Sequence, residues 1–121
     1  MSSLAGRFLK ITAVGHALVG LVLFRAPLAA IVSDGVLGTV GVQADRQAAF
    51  WFLLFSPVCF ALGQIVERGD GPIRAIVGWN LLLIGVIGAV MMPVSGFWIV
   101  LAIAPLVLHA ARRNDAATAA A

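Results

Sequence analysis

Charge and cysteine are both scarce in this chain. Only 11% of its 121 residues are charged, against 62% that are hydrophobic, and there is one cysteine, Cys59. A soluble domain carries about 25% charged residues, so this composition excludes an ordinary soluble domain. A single thiol cannot close an internal disulfide, and thiol-redox membrane enzymes that depend on a Cys-x-x-Cys pair are disfavoured.

Metal ligands are scarce as well. The chain has two histidines, His16 and His109. At 1.5 Å per residue they fall about 13 Å and about 4 Å from the predicted cytoplasmic boundary, whereas two axial ligands of one haem iron lie at similar depth. No cluster of carboxylates and histidines indicates another metal. No metal is therefore expected, and the pattern points to no particular cofactor.

Four apolar stretches dominate the chain, at Phe8–Phe24, Ala48–Val66, Ala75–Met92 and Phe97–Ala111. A helix needs about 20 apolar residues to cross roughly 30 Å of hydrocarbon, and each stretch approaches that length. The sequence therefore predicts an all-α fold, a four-helix transmembrane bundle over residues 1–113. A flexible C-terminal tail is expected over residues 114–121.

The basic residues lie mostly on one side of these stretches. Two of them, Arg25 and Arg46, fall on the outer side. The others fall on the side of both termini and are Arg7, Lys10, Arg68, Arg74, Arg112 and Arg113. Because cytoplasmic loops carry the excess of Lys and Arg, both termini are expected in the cytoplasm of a multi-pass protein of the inner (plasma) membrane. The basic residues are dispersed, which fits anionic headgroups and excludes a nucleic-acid surface.

The first outer connection, Arg25–Gln47, has a pattern of its own. Pro27 suits the first turn of a helix and Gly35 suits a C-terminal stop. The apolar run between them predicts a short helix that lies in the outer interface or is partly re-entrant. Val36–Val42 is expected to be irregular, and Asp45 is expected to cap the second crossing.

His16 is the sharpest candidate for a functional side chain. It lies about nine residues from the basic residue at either end of the first stretch, and so near the bilayer centre. An ionisable group at that depth is costly and is a functional-site hypothesis by default. Two interpretations stay open: a ligand or catalytic contact, or a structural histidine bonded to Thr12 or to another helix.

Three further side chains inside the stretches are candidate ligand contacts. Asn80 lies at mid-depth beside Trp79, and its amide is expected to hydrogen-bond between helices, with a ligand contact as the alternative. Ser56 precedes Pro57 and is expected to bond to its own helix backbone.

A second candidate set lies at the outer mouth of the predicted bundle. Its members are Asp34, Asp45, Arg46 and Trp98. An aspartate there could gate a ligand or act as a general acid or base. The alternative is a set of solvated charges, with Asp45 serving only as a helix cap.

Several short runs carry a family resemblance. Gly78–Leu82 and Met92–Trp98, together with Phe50–Phe52 and Gly15–His16, resemble a family of small, uncharacterised bacterial four-helix membrane proteins. That family, a domain of unknown function, looks loosely like the DoxX-like group, and the resemblance covers most of residues 8–113. It implies the four-helix fold and supplies no catalytic residue.

The small multidrug resistance transporters are another four-helix group of this length. They use a membrane-embedded glutamate in the first helix, where this chain has His16. Their short loops are unlike Arg25–Gln47, and the strong charge bias argues against a dual-topology dimer. Transport is therefore the weakest of the function classes considered.

The leading hypothesis is a small integral membrane protein that binds an apolar small molecule or lipid, or that is an accessory subunit of a membrane complex. Its pocket would lie near His16, Trp79 and Asn80. The alternative is a membrane enzyme, such as an isomerase, a cyclase or a quinone-linked enzyme, acting on a lipophilic substrate. The expected partners are the lipid bilayer, a lipophilic molecule, and a second copy of the chain or a membrane-complex subunit.

Overall fold

The computed structural model describes residues 2–119, and side chains over residues 4–113. This part of the chain is all-α, with no strand. Its helices are α1 (Ser2–Leu23), α2 (Arg25–Ser33), α3 (Ala44–Arg68), α4 (Gly71–Met91) and α5 (Phe97–Ala119). Within the described residues, Leu4–Leu23, Ala44–Arg68 and Gly71–Met91 are long and apolar enough to cross a membrane. The chain therefore has the character of a membrane protein.

The four predicted apolar stretches fall on α1, α3, α4 and α5. The last of these, α5, is not one of the three candidate spans over the described residues. Its helical backbone continues to Ala119, beyond the predicted start of the tail at Asn114. Residues 120 and 121 lie outside the described part, and a flexible tail stays a prediction.

Helix α2 confirms a short helix in the first connection, although its place in the interface stays a prediction. Pro27 lies in its first turn, and the helix ends at Ser33. The N–H groups of Gly35 and Val36 then donate to the carbonyls of Val32 and Ile31, at 3.3 and 3.0 Å. This is a Schellman ending, and it needs the left-handed backbone of Gly35, whose φ is +99°.

The segment after Gly35 is irregular, as predicted. Three of its residues have positive φ: Val36 at +68°, Gly38 at +71° and Gly41 at +49°. Helix α3 then begins at Ala44, which places Asp45 inside the first turn rather than at the cap. The predicted cap is therefore wrong, although a carboxylate in the first turn still interacts favourably with the helix dipole.

The chain divides into two compact units. Unit 1 comprises Met1–Lys10 and Ala61–Ala121, and unit 2 comprises Ile11–Phe60, so α1 and α3 contribute to both. The buried apolar core of unit 1 consists of Ala5, Leu9, Val66, Val77, Leu81, Ile103, Ala104 and Val107.

Glycines set the helix contacts of unit 1. A Cβ at Gly85 would lie 3.1 Å from the backbone nitrogen of Leu101, and one at Gly78 would lie 2.7 Å from the side chain of Leu108. A Cβ at Gly88 would meet the ring of Phe97. Small residues let α4 and α5 approach closely, as is usual where helices pack without a hydrophobic driving force.

Candidate functional site

His16 lies on α1 and is fixed by α3 within unit 2. Its Nε2 lies 3.0 Å from the backbone oxygen of Phe52. A carbonyl oxygen can only accept, so Nε2 carries the hydrogen and donates. In the neutral ring Nδ1 is then an acceptor, and among the described residues it has no hydrogen-bond partner. The predicted bond to another helix is present, whereas a bond to Thr12 is not.

Two aromatic rings contact the half-buried imidazole. Phe52 stacks on it with ring centroids 3.9 Å apart and an interplanar angle of 16°. Phe55 meets it edge-on at 5.8 Å, and Phe24 lies 5.2 Å from the ring of Phe52. A Cβ at Gly20 would lie 2.7 Å from the Phe52 ring, so the missing side chain makes room for it beside His16. The histidine is thus a polar group on an apolar, aromatic surface.

Ser56 lies one turn after Phe52 on the same face of α3. It is 6% exposed, and its Oγ has no hydrogen-bond partner among the described residues. The predicted bond to its own backbone is therefore absent. Pro57 lacks an N–H, so the carbonyl of Leu53 has no helical donor four residues on. A buried polar group without a partner is costly in hydrocarbon, and the Ser56 hydroxyl is such a group within the described part of the chain.

A buried arginine organises the connection between α2 and α3. Arg46, 8% exposed, donates to Asp34 Oδ2 at 2.6 Å and to the Thr39 carbonyl at 2.7 Å. Its hydrogen bond and positive charge lower the pKa of Asp34 below the ordinary value of 3.8, and a hydrogen bond from Ser33 adds to this. Thr39 in turn donates from Oγ1 to the Val36 carbonyl at 2.8 Å. This set fastens the irregular segment to the start of α3.

The outer-mouth candidates are only partly brought together. Asp34 and Arg46 form an ion pair, whereas Asp45 is exposed and makes no hydrogen bond or ion pair within the described part of the chain. Trp98 belongs to unit 1, where its Nε1 donates to the Pro93 carbonyl at 2.8 Å. The ion pair holds the end of α2 to the start of α3, and Arg46 lowers the pKa of Asp34, which makes this carboxylate a weaker base.

Trp79 and Asn80 belong to unit 1, whereas His16 and Ser56 belong to unit 2. Both residues of the α4 pair are exposed. Asn80 Nδ2 donates to the Ile76 carbonyl of its own helix at 2.8 Å. The expected interhelical hydrogen bond is absent from the described residues, because the amide donor is satisfied four residues back.

Sequence reasoning missed the ring partners of His16 and the buried charge of unit 1. Phe52, Phe55 and Ser56 recur at three- and four-residue spacing, and that period could have grouped them on one face.

Arg74 is 5% exposed, and its Nε donates to the Val66 carbonyl at 2.9 Å. No local pattern distinguishes this buried arginine from the exposed Arg68.

The described residues hold no group of three or more His, Cys, Asp or Glu side chains arranged for a metal ion. No curated protein and no solved structure matches the chain. The uncharacterised family expected from the sequence motifs is confirmed, while its likeness to the DoxX-like group stays a prediction. A model of a family of unknown function, DUF6463, matches residues 1–114, and the chain therefore belongs to that family.

Proposed function

We propose that this protein crosses the inner (plasma) membrane four times, with both termini in the cytoplasm, and binds an apolar small molecule or lipid at His16 in unit 2. One observation carries the proposal. The imidazole is anchored through Nε2 to the Phe52 carbonyl, while Nδ1 has no partner among the described residues.

The chemistry of this turn defines the ligand class. The Phe52 and Phe55 rings offer apolar contact, Nδ1 offers one acceptor, and the buried Ser56 hydroxyl has no partner. An apolar molecule with one hydroxyl group would donate the hydroxyl hydrogen to Nδ1, and its hydrocarbon part would pack against the Phe52 and Phe55 rings. Satisfying a polar group in a low-dielectric surrounding adds about 1 kcal/mol per hydrogen bond.

Two features support the proposed topology: the distribution of basic residues, and the apolar character of α5. Six basic residues flank the apolar helices on the side of the termini, against two on the other side. For the C-terminus to return to the side of the N-terminus, α5 must cross after α1, α3 and α4. Its described part is apolar from Phe97 to Ala111.

An accessory-subunit role is the related alternative. In the three candidate spans, only 22%, 28% and 39% of the most apolar windows are buried. Lipid or a partner subunit must cover the rest, since apolar surface is costly in water.

The enzyme alternative has less support. General acid–base catalysis needs a group that can exchange a proton. The Nε2 hydrogen of His16 is bonded to a carbonyl, and the carboxylate of Asp34 is engaged by Arg46. His16 Nδ1 and the exposed carboxylate of Asp45 are left for such chemistry, and neither has a hydrogen-bond partner among the described residues that could pass on a proton.

Native mass spectrometry and analysis of solvent-extracted molecules test the binding proposal. His16→Phe keeps a planar ring against Phe52 and removes both nitrogens. It should lower the amount of the co-purified apolar molecule about fivefold, the loss expected for one hydrogen bond of about 1 kcal/mol. His109→Phe, at an exposed histidine of α5, is the matched control and should leave the amount unchanged. Equal loss in both variants, or in neither, would contradict binding at His16.

Cysteine labelling tests the topology in a Cys59→Ala background. A membrane-impermeant maleimide should label Val40→Cys from outside intact cells and should not label Asp115→Cys. The reverse pattern would contradict the proposed orientation, whatever is found for the ligand.

A further inference from the structure

A shallow groove lies where α3 ends and α4 begins in unit 1. Its volume is about 350 Å³, and it is lined by Ala61, Gln64, Ile65, Arg68, Gly69 and Ile73. The floor is apolar, and the only charged group in the lining is Arg68. An apolar floor with one cation at its edge is complementary to a molecule that has a hydrocarbon part and an anionic head.

The acidic residues beside this groove are already engaged. Glu67 forms an ion pair with Lys10 at 2.8 Å. Asp70 caps α4 by accepting from the Ile73 N–H at 3.0 Å. Arg68 is exposed and has no hydrogen-bond or ion-pair partner among the described residues. No carboxylate of the described residues therefore forms an ion pair with Arg68.

A second cation lies close by in the chain and is buried. Arg74, 5% exposed, donates through Nε to Val66, while its Nη1 has no partner in the described part of the chain. A buried cation without a carboxylate retains much of its field, because protein screens charge less than water does. The end of α3 therefore carries an excess of positive charge that favours an anion.

We propose that this groove binds one anionic phospholipid of the cytoplasmic leaflet. An acyl chain would lie on Ile65 and Ile73, with the phosphate against the Arg68 guanidinium. The leaflet follows from the proposed topology, whereas the site itself rests only on the groove and its charges. Arg68 is the last residue of a candidate span, so its side chain reaches headgroup depth.

The binding test uses the full-length protein in a neutral detergent, titrated separately with phosphatidylglycerol, phosphatidylcholine and inorganic phosphate by native mass spectrometry. Phosphatidylglycerol should bind about fivefold more tightly than phosphatidylcholine, since one basic side chain near an anionic lipid contributes about 1 kcal/mol. Arg68→Gln should remove that preference, and Arg68→Lys should keep most of it. Arg112→Gln, at an exposed arginine of α5 outside the groove, is the matched control and should change binding less than twofold.

Equal binding of the two lipids to the wild-type protein would overturn the proposal. So would an undiminished preference in Arg68→Gln, or displacement of phosphatidylglycerol by inorganic phosphate at equal concentration, which would identify a free-anion site. Ile73→Ser tests the apolar part of the groove independently. It should weaken the binding of both lipids equally, because it removes part of the apolar floor. Because the titration is done in detergent and does not involve His16, its failure is distinguishable from failure of the topology or of the His16 site.

Discussion

Helices α1 and α3 meet in both units, and they meet in different ways. In unit 1 the two backbones approach closely: a Cβ at Gly63 would lie 2.8 Å from the Gly6 carbonyl oxygen, and one at Gly6 would lie 2.6 Å from the Gly63 oxygen. The Lys10 and Glu67 side chains lie beside them. In unit 2 the contact is made by side chains. A Cβ at Gly20 would lie 2.7 Å from the Phe52 ring and 2.8 Å from the end of the Leu53 side chain.

The two contacts between α1 and α3 differ in the polar groups that they leave without a hydrogen-bond partner within the described part of the chain. Where two glycines bring the backbones together, the side chains that lie against them, Lys10 and Glu67, pair with each other. Where side chains hold the contact, a histidine can be fixed by one nitrogen and leave the other without a partner among the described residues. The Gly6–Gly63 contact therefore stabilises the fold, whereas the contact at His16 is the one at which we propose binding of an apolar molecule.

Gly63→Ala should have the largest effect on stability. Overpacking against a rigid backbone costs about 1–3 kcal/mol, because the helices must separate. Gly20→Ala should cost less than about 1 kcal/mol, since the ends of the Phe52 and Leu53 side chains can turn away. Thermal unfolding in detergent measures both changes.

Gly15→Ala is the control for these two variants, because a Cβ at Gly15 meets nothing within 4 Å. It should be neutral or slightly stabilising, since alanine is the better helix former. If Gly63→Ala unfolded no earlier than Gly15→Ala, backbone packing at this contact would not be what holds unit 1.

Arg46→Met should loosen the connection between α2 and α3. The change removes the hydrogen bonds to Asp34 and Thr39 and costs about 1–3 kcal/mol of local opening free energy. Limited proteolysis should show faster cleavage between residues 34 and 43. Gln47→Met removes only the single bond to the Gly41 carbonyl and should have a smaller effect. Identical cleavage rates in the two variants would argue against Arg46 as the principal fastening.

The same connection should respond to acid. Arg46 lowers the pKa of Asp34 in the folded protein below 3.8, so the ion pair contributes fully above that pH. Its contribution is lost as the pH falls through the lowered folded value. Pepsin cleavage of the connection, referred to an unstructured peptide, should therefore accelerate below about pH 3.8 in the wild type. Asp34→Asn should show no such added acceleration, and a similar rise in that variant would point to another group.

Asn80→Leu should have the smallest effect. The amide is exposed and bonded to the Ile76 carbonyl of its own helix, so its loss frees no buried partner. The change in stability should be within about 0.5 kcal/mol by thermal unfolding in detergent. A loss above 1 kcal/mol would reveal a contact between helices or with a second copy of the chain.

The length of the apolar stretches predicted α1, α3 and α4, and the positions of Pro27 and Gly35 predicted both ends of α2. Depth along a helix also identified His16 as a group that needs a partner. The position of His16 along its helix does not identify the partner. The partner is the Phe52 carbonyl because of the register in which α1 packs against α3. Asn80 shows the same limit, since its depth required a hydrogen bond and its rotamer satisfied that bond within the helix.

Measuring both stability and bound molecule in Gly63→Ala and in His16→Phe tests most directly whether helix packing and ligand binding depend on different α1–α3 contacts. Each variant and the wild type are unfolded thermally, and the co-purified apolar molecule is quantified in the same preparations by native mass spectrometry. Gly63→Ala should unfold earlier and retain the molecule below its transition, whereas His16→Phe should unfold within about 1 kcal/mol of the wild type, the contribution of its hydrogen bond to Phe52, and lose the molecule. The account would be contradicted if His16→Phe kept the molecule, or if the two variants lost stability and bound molecule together.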